Sequence, residues 1–305
     1  MKIFITGATG VLGRIVARLL VDGGYQVRAL ARSPRNEWQV REIGAEPFAA
    51  NLFDPSSLRE ALAGQDAVLH LATHIPAAKD ATRPGAWREN DRIRSEGTRK
   101  LVDAAIECGV RTFIYPGVVF VYPEAGANWV DAATAPAPTS VLQSSLEAEA
   151  EVGRFTGAGH CGIVLRMGAF YGPTAPNTVQ MLETARRGIA LIFGTNTAYQ
   201  PLIWVDDAAL AVVDALRKGS AGTFDIVDDE PLQKRELASI LAEAVHRRRL
   251  FRPPVFLLWL FAGKNFMFLA RSQRVSNRKF KDETGWSPMI PSARVDSNFC
   301  RYLRS

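Results

Sequence analysis

Three glycines near the start of the chain have a spacing suited to binding a phosphate group. Gly7, Gly10 and Gly13 form the pattern G-x-x-G-x-x-G in TGATGVLG, between an apolar stretch at 2–6 and an amphipathic one at 11–22. A turn of this kind, between a strand and a helix, brings backbone N–H groups close to a pyrophosphate. The sequence therefore predicts a dinucleotide site formed by Gly7, Thr9, Gly10, Val11, Leu12 and Gly13.

The residues after the second apolar stretch indicate which nucleotide is bound. A site for NAD(H) usually carries an acidic residue there, which binds the ribose 2′-hydroxyl. In this chain Ala31 takes that place, followed by Arg32 and Ser33, with Arg35 close by. A guanidinium and a hydroxyl can hold a 2′-phosphate through charge-assisted hydrogen bonds. We therefore expect NADP(H) rather than NAD(H) as the cofactor.

Short apolar stretches alternate with helical patterns over the first two thirds of the chain. Helices are expected from Val11 to Asp22, after the cap Asp54 with Pro55, and from about Trp87 to Cys108. Strands are expected at 2–6, 26–31, 67–72, 112–117 and 162–167. This alternation is typical of βαβ units and predicts an α/β fold with a Rossmann-type, doubly wound parallel sheet.

Beyond Gly172 the elements become shorter, which predicts a second part of the molecule. Two more strands are expected at 202–205 and 222–227, joined by a helix, and another helix begins near Lys234. We expect an NADP(H)-binding Rossmann domain formed by 1–172 and 201–229. A smaller C-terminal substrate-binding lobe would be formed by 173–200 and 230–305.

The composition and the net charge of the chain limit the classes of protein to which it can belong. With 305 residues, 47% of them hydrophobic, and a net charge of +6, the chain is typical of a globular protein. Its three cysteines are too scattered for a disulfide framework or a structural zinc site, which predicts a reducing, cytoplasmic compartment and no metal. They are Cys108, Cys161 and Cys300.

Two other features of the composition bear on partners. The apolar stretch from Val255 to Ala270 is interrupted at Gly263, and each half is too short to span a bilayer. We expect it to form a buried helix pair or one wall of a pocket, without membrane contact. The basic clusters at 246–252 and 271–281 lack aromatic interleaving and any DNA-binding motif, so no nucleic-acid partner is expected.

An ordered series of motifs runs over nearly the whole length of the chain. The motifs are TGATGVLG at 6–13, ANLFD at 50–54, AVLHLAT at 67–73, EGTRKLVDAA at 96–105, YPGVVFVYP at 115–123, LRMGAFYGP at 165–173, WVDDAA at 204–209, FDIVDDEP at 224–231 and SQRVSN at 272–277. Together they resemble the extended short-chain dehydrogenase/reductases, the NAD(P)-dependent epimerase/dehydratase group.

This resemblance implies several contacts. It implies a Rossmann domain that carries NAD(P) and a smaller lobe that closes over a small-molecule substrate. In many relatives the helix that here contains Asn90 and Arg94, with the helix near residue 145, forms a dimer interface, so a homodimer is expected. Further cofactor contacts are implied for Asn51, Leu52, Leu71, Ala72 and Thr73.

The match fails at the three catalytic positions of the family. Relatives carry a Ser or Thr four residues before a V-Y pair, and a Tyr and a Lys ahead of an L-E-A-E-like run. Alignment on these runs places Val118, Val141 and Ser145 there, and no Tyr lies between Tyr122 and Tyr171. The resemblance implies that the Tyr moves the proton and that the Lys lowers its pKa and holds the ribose. The residues present cannot do this work.

Two side chains are candidate substitute acids. His74 follows the fourth strand, at the edge where such sheets bind ligands, and a histidine titrates near neutral pH. Tyr122 lies near the absent Ser or Thr. The alternatives are an exposed loop histidine and a structural tyrosine, and Tyr171 is open to similar alternatives. The substrate pocket is expected to be apolar and lined by Val118, Phe120, Val141, Met167, Ala169 and Phe170.

Three functions stay open at this point, because a fold does not determine an activity. The first is an NADP(H)-dependent reductase that acts on a small, fairly apolar organic substrate and uses a substitute proton donor. The second is a non-redox cyclase, isomerase or lyase, which gains from orientation alone. The third is a sensor of NADP(H), or a partner-binding protein, without catalysis.

Overall fold

The computed structural model describes residues 1–77 and 80–294, and Cys300 lies outside these ranges. The helices are α1 (Val11–Asp22), α2 (Pro34–Ile43), α3 (Pro55–Leu62), α4 (Arg88–Arg92), α5 (Thr98–Glu107), α6 (Gln143–Gly157), α7 (Pro176–Arg186), α8 (Val205–Lys218), α9 (Lys234–Ala244), α10 (Val255–Ala262) and α11 (Arg278–Thr284). The strands are β1 (Lys2–Thr6), β2 (Gln26–Leu30), β3 (Glu46–Phe48), β4 (Ala67–His70), β5 (Thr112–Val118), β6 (Trp129–Val130), β7 (Cys161–Met167), β8 (Ala169–Tyr171), β9 (Tyr199–Gln200), β10 (Leu202–Trp204), β11 (Gly222–Ile226), β12 (Leu232–Gln233) and β13 (Arg274–Val275).

Seven of the strands form a central sheet in the order β3-β2-β1-β4-β5-β7-β11. The pairs of β1 with β2 and β4, of β2 with β3 and of β4 with β5 are parallel. The four residues of β4 are all buried, as are the last four of β1, which explains their continuous apolar runs. The strand order reverses between β1 and β4, and ligands bind at such a point in doubly wound sheets. The predicted fold class is confirmed.

Local sequence signals account for the helix ends in this sheet. Asp54 caps α3 by accepting a hydrogen bond from the backbone N–H of Ser56, and Pro55 occupies the first turn. Ser33 caps α2 in the same way, accepting from the N–H of Asn36 at 3.3 Å. The helices predicted after Gly10 and after Asp54 are confirmed.

The predicted helix from Trp87 to Cys108 contains a change of helical type. A π-helical turn spans Ile93–Gly97 between α4 and α5. Gly97 lies so close to Leu52 that an added Cβ would be 2.7 Å from the leucine side chain. The wide turn and the missing side chain therefore let Leu52, after β3, pack directly against the helix backbone.

The chain divides into two compact units, each built from three segments. The first comprises 1–117, 143–166 and 209–224, and the second comprises 118–142, 167–208 and the chain from Asp225 onward. In the second, three strand pairs (β8 with β10, β9 with β12, β6 with β13) accompany an apolar core. That core includes Tyr171, Leu182, Trp204, Leu237 and Leu241. The lobe boundaries expected from the sequence stay a prediction.

Two alternatives were expected for the apolar stretch at 255–270. The buried helix pair is wrong for the first half of the stretch, and the pocket wall stays a prediction. The stretch does form two helical segments, α10 and a 3₁₀ helix at Lys264–Ala270, separated at Gly263 as expected. However, four of the eight side chains of α10 are at least 60% exposed, whereas Leu258 is buried. An apolar composition predicts that the side chains of a helix are covered, but it does not identify the surface that covers them.

Candidate functional site

The turn between β1 and α1 has the geometry of a nucleotide-binding loop. The N–H of Gly10 donates to the carbonyl of Gly7 at 3.0 Å, and Gly7 has a φ of +77°, which favours glycine. Gly10 is the N-cap of α1, and no side chain caps this helix. The first N–H groups of α1 therefore stay available to an anion, where the helix dipole also favours negative charge.

The three glycines differ in what a side chain would meet. A Cβ on Gly13 would lie 2.0 Å from the carbonyl oxygen of Gly7, and a Cβ on Gly7 would lie 2.6 Å from the backbone of Ala72. A Cβ on Gly10 would meet only the carbonyl oxygen of Gly7, at 3.2 Å. Gly7 and Gly13 are thus required by the protein's own packing, whereas a Cβ on Gly10 would make a single close contact. The turn fits a pyrophosphate approaching at Gly10.

The residues expected to select the nucleotide follow β2 directly. Ala31 is buried and hydrogen-bonded to Phe48, while Arg32 is exposed and has no carboxylate partner within the described part of the chain. Ser33 uses its oxygen as the cap of α2 and retains its hydroxyl hydrogen for another acceptor. No acidic side chain therefore occupies the position that would bind a 2′-hydroxyl.

The end of β4 is tied to the end of β1 by one hydrogen-bonded group. Thr6 Oγ1 lies 2.6 Å from His70 Nδ1 and accepts a longer bond from the N–H of Ala72 at 3.4 Å. The residues that follow Ala72 are exposed, and the backbone N–H of His74 donates to the Asn90 side chain at 3.2 Å. Asn90 is itself fully buried. The loop that carries Thr73 and His74 is therefore anchored to α4, while the imidazole of His74 is exposed.

Asn51 and Leu52 lie after β3, in the same unit. The side chain of Asn51 accepts from the N–H of Phe53 at 3.0 Å, which shapes the turn before α3. Leu52 is buried against the π turn, as described above, and Asn51 is exposed. Both positions remain predicted adenine contacts.

A buried group of ionisable residues lies behind the end of β4, and most of it escaped the sequence prediction. The ring of His70 lies 6.0 Å from that of Tyr115, and both residues are at most 1% exposed. Burial raises the pKa of Tyr115, while the charge of Arg94 and the hydroxyl of Ser145 oppose that rise. Arg94 is 3% exposed. A signal existed, because Asn90, Arg94, Gly97 and Leu101 follow the helical spacing of the inward face.

His70 is expected to make the protein sensitive to acid. Burial lowers its pKa from 6.5 to about 4, with a further lowering by the charge of Arg94. Above pH 6.5 the imidazole is neutral in both states; between 6.5 and 4 only the unfolded chain takes up the proton. Stability is therefore lost as the pH falls through this window, by ~3 kcal/mol for this one group.

The measurement is the free energy of unfolding in urea between pH 7.5 and 4. The wild type should lose ~3 kcal/mol more than the His70→Leu variant over this range, because leucine has no proton to bind. Parallel pH profiles for the two proteins would show that His70 is not neutral in the folded state.

Glu149 on α6 and Arg166 on β7 form a buried ion pair in the same unit. The guanidinium donates through Nε at 3.1 and 3.2 Å and through a terminal nitrogen at 2.7 Å, and the side chains are only 9% and 7% exposed. Gly117 makes room for it, since a Cβ there would lie 2.7 Å from Glu149 Oε1. This pair fixes α6, the helix that carries Ser145, to the sheet.

The residues predicted for the degenerate active site fall on different elements. Ser145 lies in the first turn of α6 and is fully buried. Val118 ends β5 and is partly exposed, whereas Val141, in a 3₁₀ turn at Ser140–Leu142, is buried. The structure thus places no ionisable side chain at these three positions.

The predicted pocket residues all belong to the second unit but differ in exposure. Met167 and Val141 are buried, while Phe120, Ala169 and Phe170 keep part of their surface exposed. The ring of Phe120 lies 5.8 Å from that of Phe268, so the 264–270 segment packs against one of the predicted pocket residues. Ala169 and Phe170 lie on β8 and pair with β10.

Both tyrosines considered for chemistry have buried carboxylate partners. Tyr122 is fully buried, and its hydroxyl donates to Asp225 at 2.7 Å. Tyr171 donates to Asp228 at 2.8 Å, and its ring packs edge-on against Trp204. Burial raises the pKa of Tyr171, and the charge of Asp228 adds to the rise. These contacts favour structural roles, the alternative that the sequence left open.

The fold and the glycine turn together define a nucleotide-binding enzyme scaffold. The model of the NAD dependent epimerase/dehydratase family matches residues 3–227. The chain therefore belongs to this family, and the predicted family membership is confirmed.

Several relatives carry the name of a reductase. The chain is 27% identical to 3-diazoavenalumate denitrifying reductase of Streptomyces sp, over 96% of this chain and 98% of the relative. It is 31% identical to 2-alkyl-3-oxoalkanoate reductase of Stenotrophomonas maltophilia (strain K279a), over 82% of this chain and 77% of that protein. Among solved structures, human epimerase family protein SDR39U1 with NADPH superposes with a TM-score of 0.83 over the full length of both chains, at 20% identity. That likeness shows the fold alone.

Proposed function

We propose that the protein is an NADP(H)-dependent reductase of a small, fairly apolar organic substrate. The observation that carries the proposal is the turn after β1, where packing requires Gly7 and Gly13, Gly10 has one close backbone contact, and no side chain caps the first N–H groups of α1. The names of the two curated relatives described above support the reductase assignment.

The cofactor would be held by residues of the first unit. The N–H groups at the start of α1 would bind the pyrophosphate, and Arg32 with Ser33 would bind the 2′-phosphate. Asn51 and Leu52 would contact the adenine, and the residues Leu71, Ala72 and Thr73 would complete the contacts. When bound, NADPH supplies a hydride.

The substrate is proposed to be apolar because the predicted pocket residues are apolar. The partly exposed surfaces of Val118, Phe120, Ala169 and Phe170 offer no charged group to a ligand. Such a surface suits an acyl or alkyl ketone better than a nucleotide sugar, since burying sugar hydroxyls there would leave them without hydrogen bonds. The alkyl-oxo acid in the name of one relative is consistent with this class.

His74 is the proposed proton donor. Its imidazole is exposed, its backbone is anchored by Asn90, and it follows the strand beside the reversal of the sheet order. Tyr122 is the weaker candidate because its hydroxyl already donates to Asp225. A homodimer, proposed on the resemblance alone, is not needed for these roles.

A direct experiment follows NADPH consumption in the presence of a panel of apolar ketones and enones, with product formation measured in parallel without nucleotide. Oxidation of NADPH that depends on one of these substrates, and that falls at least a hundredfold in His74→Ala, supports the proposal. Product formation without nucleotide would instead establish a cyclase, isomerase or lyase. That second function is favoured by the apolar residues Val118 and Val141 at the catalytic positions.

Arg32→Asp is expected to reverse the preference between nucleotides. NADPH binding should weaken by ~1.5–3 kcal/mol, or about 10- to 150-fold, because a charge-assisted hydrogen bond is replaced by repulsion. NADH binding should change little, since it has no 2′-phosphate. Fluorescence titration with both nucleotides measures this, with the exposed Arg278→Asp as the control. An equal loss for both nucleotides would mean that Arg32 does not contact the 2′-phosphate.

Ser145→Ala is expected to reduce turnover less than tenfold, which corresponds to about 1.4 kcal/mol in the transition state. The reason is that Ser145 is buried and brings no charge to the position that the family gives to Lys. The measurement is kcat under substrate saturation, with circular dichroism as a check on folding. A thousandfold loss in a folded variant would show that Ser145 takes part in the chemistry.

A further inference from the structure

The helix α10 exposes a cluster of large apolar side chains. Its sequence, VFLLWLFA, contains no polar residue. Phe256 is 64% exposed, Trp259 and Leu260 are each 60% exposed, and Phe261 is 75% exposed. These four side chains are called the apolar face below. Isolated exposed apolar residues are common, but four within six positions form a contiguous patch, and such patches mark interaction sites.

The exposure of the apolar face is set by the fold. Residues 256, 259 and 260 follow the i, i+3, i+4 spacing of one side of a helix, and Phe261 is exposed next to them in the last turn, whereas Leu258 is buried. Gly263, with a φ of +74°, ends the helix, and its N–H donates to the carbonyl of Trp259. The following segment, Lys264–Ala270, packs against α10 and contributes the buried Phe268. The helix is therefore held in place with its apolar side outward.

Further exposed apolar side chains extend the patch. Phe251, just before α10, is 60% exposed, and its backbone pairs with Ile189 after α7. Ile189 and Leu191 are 37% and 45% exposed. These side chains add exposed apolar surface just before α10 and after α7.

Exposed cations flank these apolar residues in the sequence. They are called the basic rim: Arg186, Arg187, Arg247, Arg248, Arg249 and Lys264. Arg247 donates to the backbone carbonyl of Arg186 at 2.7 Å, which joins the two groups of arginines. None of the six forms an ion pair with another described residue. The adjoining helices α7 and α9 carry Glu183 and Glu243, so the rim keeps a net positive charge.

The charge and the apolar surface together limit which kind of partner can bind here. Within residues 1–77 and 80–294 no helix is long and apolar enough to cross a bilayer, so α10 cannot be a span. A second copy joined through the same face about a two-fold axis would bring two basic rims together, and that arrangement is repulsive. A nucleic acid would satisfy the rim but leave the aromatic and aliphatic side chains in water. A bilayer with anionic lipid headgroups satisfies both features.

We propose that the apolar face and the basic rim together dock the protein on the surface of an anionic membrane. Phe256, Trp259, Leu260 and Phe261 enter the boundary between headgroups and acyl chains, with α10 in the plane of the membrane. A Trp ring is well suited to this depth, since its body is apolar and its N–H reaches the headgroups. The rim contacts the anionic headgroups, and each cation strengthens partitioning about fivefold. This surface site is independent of the reductase function proposed above.

The test is co-sedimentation of the full chain with vesicles of phosphatidylcholine containing 30% phosphatidylglycerol (about physiological in charge density), compared with vesicles of phosphatidylcholine alone. The wild type should partition to the anionic vesicles at least tenfold more strongly. Trp259→Ser with Phe261→Ser should weaken this binding tenfold or more, and Arg248→Glu about fivefold or more. Trp38→Ser and Arg235→Glu change exposed residues of the same types elsewhere, and they should bind like the wild type.

The possible outcomes distinguish an anionic membrane from a second copy of the chain as the partner. Lack of binding to anionic vesicles by the wild type overturns the proposal, and so does binding that the Trp259 and Phe261 changes leave intact. A dimer seen by sedimentation velocity and dissociated by the same changes, in a protein that ignores vesicles, would assign the face to a second copy and overturn it too. Quenching of tryptophan emission by brominated lipid, lost in Trp259→Phe but kept in Trp38→Phe, would place α10 itself in the membrane. Circular dichroism and thermal unfolding of the double variant check that the fold survives, and they do not depend on whether the proposed function is correct.

Discussion

Replacing Gly10 with leucine is expected to leave a folded protein that no longer binds NADPH. The Cβ of residue 10 would meet only the carbonyl oxygen of Gly7, at 3.2 Å, and the backbone there is extended with a φ of −77°, which leucine adopts without strain. The added side chain would fill the space through which a pyrophosphate approaches the first N–H groups of α1. Affinity should therefore fall at least a hundredfold, or about 2.7 kcal/mol.

The measurement is a calorimetric titration with NADPH, together with thermal unfolding of each variant without nucleotide. Gly153→Leu serves as the control, because Gly153 lies on α6 with open space around its Cα and is exposed. Gly13→Ala is the opposite case. Its Cβ would lie 2.0 Å from a backbone oxygen, so this variant should lose stability as well as binding. If Gly10→Leu binds NADPH like the wild type, the turn does not hold the pyrophosphate and the proposed function fails with it.

Removing one partner of the Glu149–Arg166 pair should destabilise the protein by ~3–5 kcal/mol. The cause is the unpaired charge that remains buried when its partner is removed. Three hydrogen-bonding distances between 2.7 and 3.2 Å join the pair, and both side chains are nearly inaccessible to water. Glu149→Leu therefore leaves a buried guanidinium without its carboxylate.

The free energy of unfolding in urea tests this, and a double variant makes the test sharp. Glu149→Leu with Arg166→Met removes both charges, so it should regain most of the loss seen in either single variant. Glu151→Leu, two residues further along α6, breaks the exposed pair with Arg154 and should cost less than ~1 kcal/mol. A loss for Glu149→Leu as small as that for Glu151→Leu would show that water reaches the pair.

The sheet and its helices were predictable because their signals are local. Three residues of β1 are apolar in succession, and the helix after Gly10 repeats its apolar residues at helical spacing, so each element could be identified from its own stretch. Asp54 followed by Pro55 marks a helix start for the same reason, since cap and first turn are adjacent in sequence. The glycine turn could be identified because it sits between two such elements.

The interactions that escaped prediction join residues far apart in the sequence. Tyr122 and Asp225 are 103 positions apart, and the sequence around either residue does not indicate that the two are in contact. Glu149 and Arg166 lie on consecutive elements, but their burial depends on Gly117, a residue of a third element, β5. The π turn at Ile93–Gly97 likewise accompanies the contact between Gly97 and Leu52 rather than a helix-breaking residue. Such features follow from the assembled packing.

The burial of α10 was predicted wrongly for a related reason. Hydrophobicity indicates that burial of a side chain is favourable, but it does not identify the surface against which the side chain packs. In the stretch from Val255 to Ala262 every residue is apolar, so no alternation distinguishes an inner side from an outer one. Only the position of Leu258 against the rest of the chain shows which side is covered.

The interleaving of the two units has a consequence for how the chain is made. The last segment of the first unit, residues 209–224, is synthesised only after residues 118–142 and 167–208, which belong to the second. That segment holds most of α8 and most of β11, the edge strand beside β7. A nascent chain that ends before it leaves the edge of β7 open to pairing with other chains. The first unit therefore cannot be isolated as a continuous fragment, and its sheet is completed only after residue 226, the end of β11, has been translated.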